Sequence, residues 1–269
     1  MRARAFGLTD VGRRRETNQD SLLVRPELGL YAVADGMGGH AAGEVASRIA
    51  IESLRDTLGA GGLPAHDARE AADRLADAFQ EGNRRICDSV VTRGEWRGMG
   101  TTIVALVAMG QHAIIGHVGD SRAYRLRGGQ LERMTHDHSW VSEQVRLGLL
   151  TDEEAHRHPM RNIVTRALGN RTDLAVELRE ADVRAGDVYL LCSDGLNTML
   201  TDPEILRTLA EAAGDPERAC RRLVDQANSK GGEDNISVIV CAWDPQPDQA
   251  RDLGSTAPGV PVPGAKPAN

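Results

Sequence analysis

Apolar and polar positions follow two rhythms along this chain, and the rhythm changes at regular breaks. Short apolar or alternating runs at residues 6–9, 21–25 and 30–34 predict three strands. Val45, Ile49, Leu54 and Leu58 then fall on one face of a helix predicted over 42–58. The cluster from Gly59 to Pro64 breaks it. A second helix follows over 67–91, where Ala68, Ala72, Leu75, Phe79, Gly82, Ile86 and Val90 recur at steps of three or four residues. Strand-like runs return at 101–109, 112–118, 122–126 and 130–134, with Gly110-Gln111 and Gly128-Gly129 as hairpin turns. Two helical pieces fall within 139–167, and Thr151 to Glu154 has the spacing of a capping box. Further strands are expected at 174–180, 188–193 and 236–242, with helices opening at Thr201 and Asp215 between the last two. Helix pairs set between runs of hairpin-like strands predict an α+β chain: antiparallel sheets covered by helices, not repeated βαβ units.

Composition narrows the class. The chain has 269 residues, 41% of them hydrophobic and 26% charged, enough to bury a sizeable core without disulfides or a structural metal. We expect one domain over 1–243. The segment 244–269 turns rich in Pro, Gly and Ala, and reads as a disordered tail. The net charge of −7 argues against a nucleic-acid reader and against docking on anionic membrane. The only lysines are Lys230 and Lys266, and neither closes a phosphate-binding P-loop. Cys87, Cys192, Cys220 and Cys241 show no zinc spacing and read as buried thiols. The basic start has no apolar region suited to secretion, and no apolar run reaches membrane-spanning length, so the cytoplasm is the expected compartment.

The placement of aspartates carries the chemistry. The apolar runs at 31–34, 114–119 and 189–193 lead into Asp35, Asp120 and Asp194. Asp20 opens one strand, and Asp234 immediately precedes another. Any one of these reads equally well as a turn residue. If the strands gather, however, the carboxylates converge, and so many negative charges do not stay ionised side by side unaided. A divalent cluster resolves the repulsion, and ligation by oxygen alone points to Mg²⁺ or Mn²⁺ rather than zinc. Paired ions of this kind serve phosphoester hydrolysis. A guanidinium from the loop Arg13-Arg14-Arg15 could hold a phosphate by two hydrogen bonds.

The order of motifs is more specific still. Gly12-x-x-Arg15-x-x-Asn18-x-Asp20 is followed by Val33-Ala-Asp35-Gly-Met-Gly-Gly-His40-x-x-Gly43-Glu. Gly98-Met-Gly-Thr-Thr102 and Gly116-His-Val-Gly-Asp120-Ser-Arg-Ala-Tyr124 come next. Thr135-His-Asp-His-Ser139, His158-Pro-x-Arg-Asn162 and Thr165-Arg-Ala-Leu168 follow, then Cys192-Ser-Asp194-Gly-Leu196 and Gly231-Gly-Glu-Asp-Asn235. From about Ala5 to Ala242 this order resembles the bacterial branch of the PP2C-type (PPM) metal-dependent protein serine/threonine phosphatases. The resemblance implies a four-layer αββα sandwich, two central antiparallel sheets flanked by helix pairs. It also implies hydrolysis of phosphoserine and phosphothreonine in proteins by a hydroxide bridging two Mn²⁺ or Mg²⁺ ions.

By motif position, Asp35 bridges the ions, the Gly36 carbonyl binds one, and Asp194 and Asp234 bind the other. Asp20 acts directly or through water, and Arg15 holds the substrate phosphate. His40 is a candidate proton donor to the leaving oxygen. Asp120 matches a ligand of a third ion. Thr198 and Asn162 stand where relatives carry further oxygen ligands, which predicts a labile third metal, and Gln19 replaces a common glutamate. The segment 139–161 matches a flap beside the site that tunes substrate choice. Phosphorylated proteins, and a bacterial serine/threonine kinase as the opposing partner, are implied, with a monomer as the default.

Three other readings fit parts of the sequence. Gly36-x-Gly38-x-x-Ala41, with Asp56 twenty residues beyond Gly36, has the form of a dinucleotide fingerprint, but a second helix follows where a strand is required. Cys87 and Arg93 have the spacing of a cysteine phosphatase loop, yet Cys87 lies in a predicted helix with no glycine between it and Arg93. A catalytically silent phosphoprotein-binding scaffold of the same fold is the alternative that spacing alone leaves open.

Overall fold

The structure is a computed structural model, and it describes residues 3–38, 42–59 and 67–244. His40 lies outside these residues, as does the expected tail from residue 245 onward.

Among the described residues, eleven strands form two antiparallel sheets. One sheet is ordered β1 (Ala3–Asp10), β11 (Ile236–Trp243), β10 (Val188–Cys192), β7 (Arg122–Arg127) and β8 (Gln130–Arg133). The other runs β2 (Asp20–Arg25), β3 (Leu30–Met37), β5 (Ile103–Met109), β6 (His112–Val118) and β9 (Glu177–Asp182). The two-residue β4 (Gly100–Thr101) pairs with the end of β3.

Side-chain alternation along each central strand feeds two separate cores. Tyr31, Val33, Leu106, Ile115, Tyr189 and Ile239 meet between the sheets. Leu30, Ala32, Ala105 and Ile114 point the other way, onto α1 (Ala42–Gly59) and α2 (Ala68–Thr92). Leu190, Val238 and Val240 point outward from the first sheet, onto α6 (Asp202–Glu211) and α7 (Pro216–Ser229). Helix pair, sheet, sheet, helix pair: the four-layer αββα arrangement is the one the motifs implied.

Local chemistry starts several of the helices where the sequence places them. The Asp67 carboxylate accepts from the Arg69 and Glu70 backbone N–H groups and caps α2. Thr151 with Glu154, and Thr201 with Glu204, close capping boxes at α4 (Asp152–Arg157) and α6. Asp215 caps α7 ahead of Pro216. Along α2, Arg84 and Arg85 reach Glu81, Asp88 and Asp56, laying a charged ladder on the solvent side of the apolar stripe.

Three strands depart furthest from their sequence-based bounds. β1 starts at Ala3 because all eight of its residues pair with β11. β9 starts at Glu177 rather than at 174, where pairing with His117 begins. β3 does not stop at Ala34: Asp35 pairs across to Asp20, and Gly36 and Met37 pair with Thr101 and Gly100 of β4.

Candidate active site

The topology puts five strand ends on one edge of the sandwich. β2 and β11 begin there, and β3, β6 and β10 end there, because every neighbouring pair is antiparallel. Asp20, Asp35, Asp120, Asp194 and Asp234 therefore arrive at one mouth from both sheets. Asp20 and Asp35 are directly opposed across β2 and β3, a like-charge pairing that disfavours the sheet unless something offsets it.

The carboxylates perturb one another as that crowding requires. Burial, then the charges of Asp20, Asp194, Asp120 and Asp234, hold the Asp35 carboxyl well above the ordinary range. Burial pushes Asp20 up to about 7, against the pull of hydroxyl partners. Asp120 rises to about 8 through burial and Asp194. Asp194 rises to about 6 through burial and Asp234, while contact with the Asp35 side chain holds it back. Oδ1 of Asp20 and Oδ1 of Asp194 are buried with no hydrogen-bond partner. A buried carboxylate oxygen without a donor needs a cation, and oxygen ligands with no His or Cys among them suit a hard divalent ion. The donor set thus fits the two Mn²⁺ or Mg²⁺ ions that the motifs imply.

The scaffold around the mouth is densely bonded. Ser193, which ends the β10 run, donates to Asp20 Oδ2 at 2.9 Å and accepts from the Ser237 backbone N–H at 3.0 Å. Asn235 is 5% exposed and holds the β1–β2 loop at three points. Its Nδ2 donates to the carbonyls of Val11 and Thr17 at 2.9 and 3.0 Å, and its Oδ1 accepts from the Gln19 N–H at 2.8 Å. Gly36 allows the tightest approach: a Cβ there would lie 2.1 Å from the Gly43 carbonyl oxygen. Gly12 has φ +82°, and a Cβ would meet the Asp234 carbonyl at 2.2 Å, so this loop lies directly against the aspartate. Gln19 adds its backbone carbonyl, which accepts from Gly36 N–H at 3.2 Å and from Ser47 Oγ at 2.6 Å.

Arg15 rides on that loop and is exposed, and its Nη2 donates to Asp234 Oδ2 at 2.7 Å. The other Asp234 oxygen accepts from the Asn235 N–H at 2.8 Å. Asp120, Asp194, Asn162 and Thr198 line a cavity of ≈ 530 Å³ that runs beneath α3 (Trp140–Arg146) and α4. The structure therefore brings together Asp20, Asp35, Gly36, Asp194, Asp234, Asp120 and Arg15, with Asn162 and Thr198 at the border of the third carboxylate. Cys87 lies in α2 and is half-buried, and burial raises its thiol, the opposite of what a nucleophile needs.

Three groups here were not singled out by the sequence. Ser193 and Asn235 looked like ordinary strand-flanking polar residues, and only the register shows what they hold. The third is a stacked histidine pair. His117 and His138 lie with ring centroids 4.5 Å apart, and their ligand atoms fall within 4.8 Å of one another and of Glu177. Parallel rings aim their lone pairs side by side, and three of the four ring nitrogens already face a partner. His117 Nε2 meets the His136 carbonyl, His138 Nδ1 accepts from Gly119 N–H, and His138 Nε2 faces Glu177. The pair ties the strand end that carries Asp120 to the flap stem. Burial pushes His138 down to about 4, so it sits neutral at neutral pH.

With this geometry in place, comparison with known proteins is direct. The protein phosphatase 2C family model matches residues 12–228, and the chain belongs to that family. It is 42% identical over 240 residues to the serine/threonine protein phosphatase PstP of Mycobacterium tuberculosis, covering 86% of this chain but only 43% of that longer protein. It is 38% identical to the serine/threonine phosphatase Stp of Listeria monocytogenes, covering 88% of this chain and 94% of that one. Among solved structures, the PstP catalytic domain in complex with 2 manganese ions superposes with a TM-score of 0.80 at 37% identity, over 90% of this chain and 99% of that one. Divalent-metal binding and the α+β sandwich are thus features of the family to which this chain belongs.

Proposed function

We propose that this chain removes phosphate from phosphoserine and phosphothreonine in proteins, with two Mn²⁺ or Mg²⁺ ions held at the strand mouth. The observation that carries the reading is the pair of buried, partnerless carboxylate oxygens on Asp20 and Asp194, beside an Asp35 surrounded by like charges. Asp35, the Gly36 carbonyl, Asp194 and Asp234 would hold the ions, with Asp20 acting directly or through water. Bound ions supply Lewis-acid activation of water and of the phosphoryl oxygens.

The chain's own groups do the rest. Ser193 orients Asp20, Asn235 fixes the loop, and Arg15 turns from Asp234 to the substrate phosphate. Asp120 would contribute to a third, more labile ion, because Thr198 and Asn162 would offer it no added charge. His40 is the candidate donor of a proton to the leaving oxygen. The Mycobacterium tuberculosis and Listeria relatives are named as serine/threonine phosphatases, which supports the same substrate class here. A serine/threonine kinase as the opposing partner, a monomeric state and a cytoplasmic site of action belong to this proposal. Among the described residues no helix is long and apolar enough to cross a membrane.

The test is initial rates on a phosphothreonine peptide and on a small aryl phosphate with Mn²⁺, Mg²⁺ or EDTA, beside Asp35→Asn and Asp194→Asn. Metal-dependent turnover lost in both variants is the expected result. A folded parent protein without turnover in either metal would replace the enzyme with the silent scaffold.

A further inference from the structure

The cavity that begins at Asp120 and Asp194 ends in a cationic wall. Five arginines line it. Arg122 is committed to Asp137, which it grips at 2.6 and 2.9 Å, and Arg133 lies 3.9 Å from the same carboxylate. The remaining three, Arg146, Arg161 and Arg166, line the cavity and form no ion pair among the described residues. They come from three places: the last turn of α3, the segment after α4, and the return toward Leu168. Arg166 Nη1 faces not an acid but the Nε2 of His138, at 3.4 Å.

The acids of the cavity do not answer them. Asp120 and Asp194 belong to the strand mouth, and Glu177 faces His136 and His138. Glu143 accepts from the Thr165 hydroxyl at 2.8 Å. Asp152, in the first turn of α4, lines the cavity too and forms no ion pair among the described residues. Counted by charge, five arginines face four carboxylates beyond the strand mouth, Asp137, Glu143, Asp152 and Glu177, so the far wall keeps a net positive charge.

We infer that Arg146, Arg161 and Arg166 form a second anion subsite. It selects substrates that carry, close to the scissile phosphoester, a second phosphate or an acidic side chain. The inference rests on the phosphatase reading above and adds a substrate class to it. Guanidinium forks match phosphate and carboxylate oxygens, and arginines from three segments can close on an anion from several sides. A cavity of ≈ 530 Å³ is about 10 Å across, so a residue about two or three positions along an extended peptide reaches the wall.

The test uses one peptide sequence in three forms, with the Mn²⁺-loaded full chain. The first form carries a single phosphothreonine between neutral residues. The second adds glutamates two and three positions away, and the third adds a second phosphoresidue there. Enzymes are the parent, Arg146→Ala/Arg161→Ala and Arg166→Ala, with single Arg146→Ala and Arg161→Ala variants in case the double variant fails to fold. A small aryl phosphate reports the basal activity. The parent is expected to favour the doubly phosphorylated form over the neutral one by about tenfold in kcat/KM, less at high ionic strength. In the double variant that ratio falls to within about twofold, while rates on the neutral peptide and the aryl phosphate stay unchanged. Preference for the third form alone assigns the subsite to phosphate, and equal preference for the second and third assigns it to any acidic group. A parent that treats all three alike, or a preference that survives every arginine variant, overturns the inference. A folded parent that hydrolyses none of them overturns the phosphatase reading instead. In that case fluorescence anisotropy of the three labelled peptides decides the subsite, which is upheld only by tighter, arginine-dependent binding of the anionic forms.

Discussion

The strand mouth and the flap are built on opposite terms. At the mouth, short polar side chains are locked by backbone partners: Ser193 to Ser237, and Asn235 to Val11, Thr17 and Gln19. The stored tension there is charge, held in place by a rigid frame. The flap has two short helices, and around them Leu147, Leu149, Met160 and Ile163 are exposed. What anchors it is narrow. Trp140 N–H donates to Ile163, Thr165 N–H donates to His138, and Trp140 meets the His158 ring at 4.9 Å. A site that must hold several carboxylates together spends its polar groups on position, while a surface that meets varied partners can leave apolar side chains in water.

Five measurements would break or sharpen that contrast, taken from the largest effect to the smallest. Asp35→Asn should lower kcat by about 10³-fold or more, from loss of several kcal/mol of ion-centred stabilisation. The same variant, without metal, should melt at or above the parent temperature at pH 8, because a buried like charge has gone. A metal-free variant that melted lower would show the frame, not the charge, to be the weak element.

Saturating Mn²⁺ at about 100 times its dissociation constant should raise the melting temperature of the parent by roughly 5–10 °C, and EDTA should reverse it. The rise should be greater at pH 8 than at pH 6, since the raised carboxyls of Asp20, Asp120 and Asp194 must release protons on binding. An equal rise at both pH values would count against those carboxyls as ligands.

Asn235→Ala should cost about 2–4 kcal/mol in urea unfolding, for three hydrogen bonds lost at a buried position. His138 links mouth to flap and answers to pH. Its folded value of about 4 lies below the unfolded 6.5, so the unfolded chain binds the extra proton between them. Stability should fall by about 2 kcal/mol as pH drops from 6.5 toward 4, and His138→Gln should remove that part of the slope. Leu147→Ser and Leu149→Ser should change stability by less than about 0.5 kcal/mol, the mark of a surface the fold does not lean on.

Much of the mouth was legible beforehand because strand ends are legible. An apolar run that starts or stops at an acid identifies both the strand and the end where its carboxylate lies, and five such runs suffice once the sheets are known to be antiparallel. What stayed hidden depended on register. No pattern in the chain announces that Asp20 faces Asp35 across β2 and β3, or that Gly100 and Thr101 lengthen β3 past Asp35. Asn235 reads as a loop residue until its three partners, more than 200 positions away in sequence, are seen. The histidine stack joins positions 117 and 138 through space, in segments read separately as strand and loop. His40 lies outside the described residues, so its candidate role rests on the motif alone.

The contact between Arg15 and Asp234 has a thermodynamic corollary. One guanidinium and one carboxylate neutralise each other at 2.7 Å, so each is masked from other partners while the pair persists. A cation that captures Asp234 liberates Arg15 for an anion, and an anion that captures Arg15 liberates Asp234 for a cation. By linkage, the factor by which inorganic phosphate tightens Mn²⁺ must equal the factor by which Mn²⁺ tightens phosphate. If the proposed roles of Asp234 and Arg15 hold, the two ligands would be recruited as a pair of opposite sign, made cooperative by a single exchangeable ion pair.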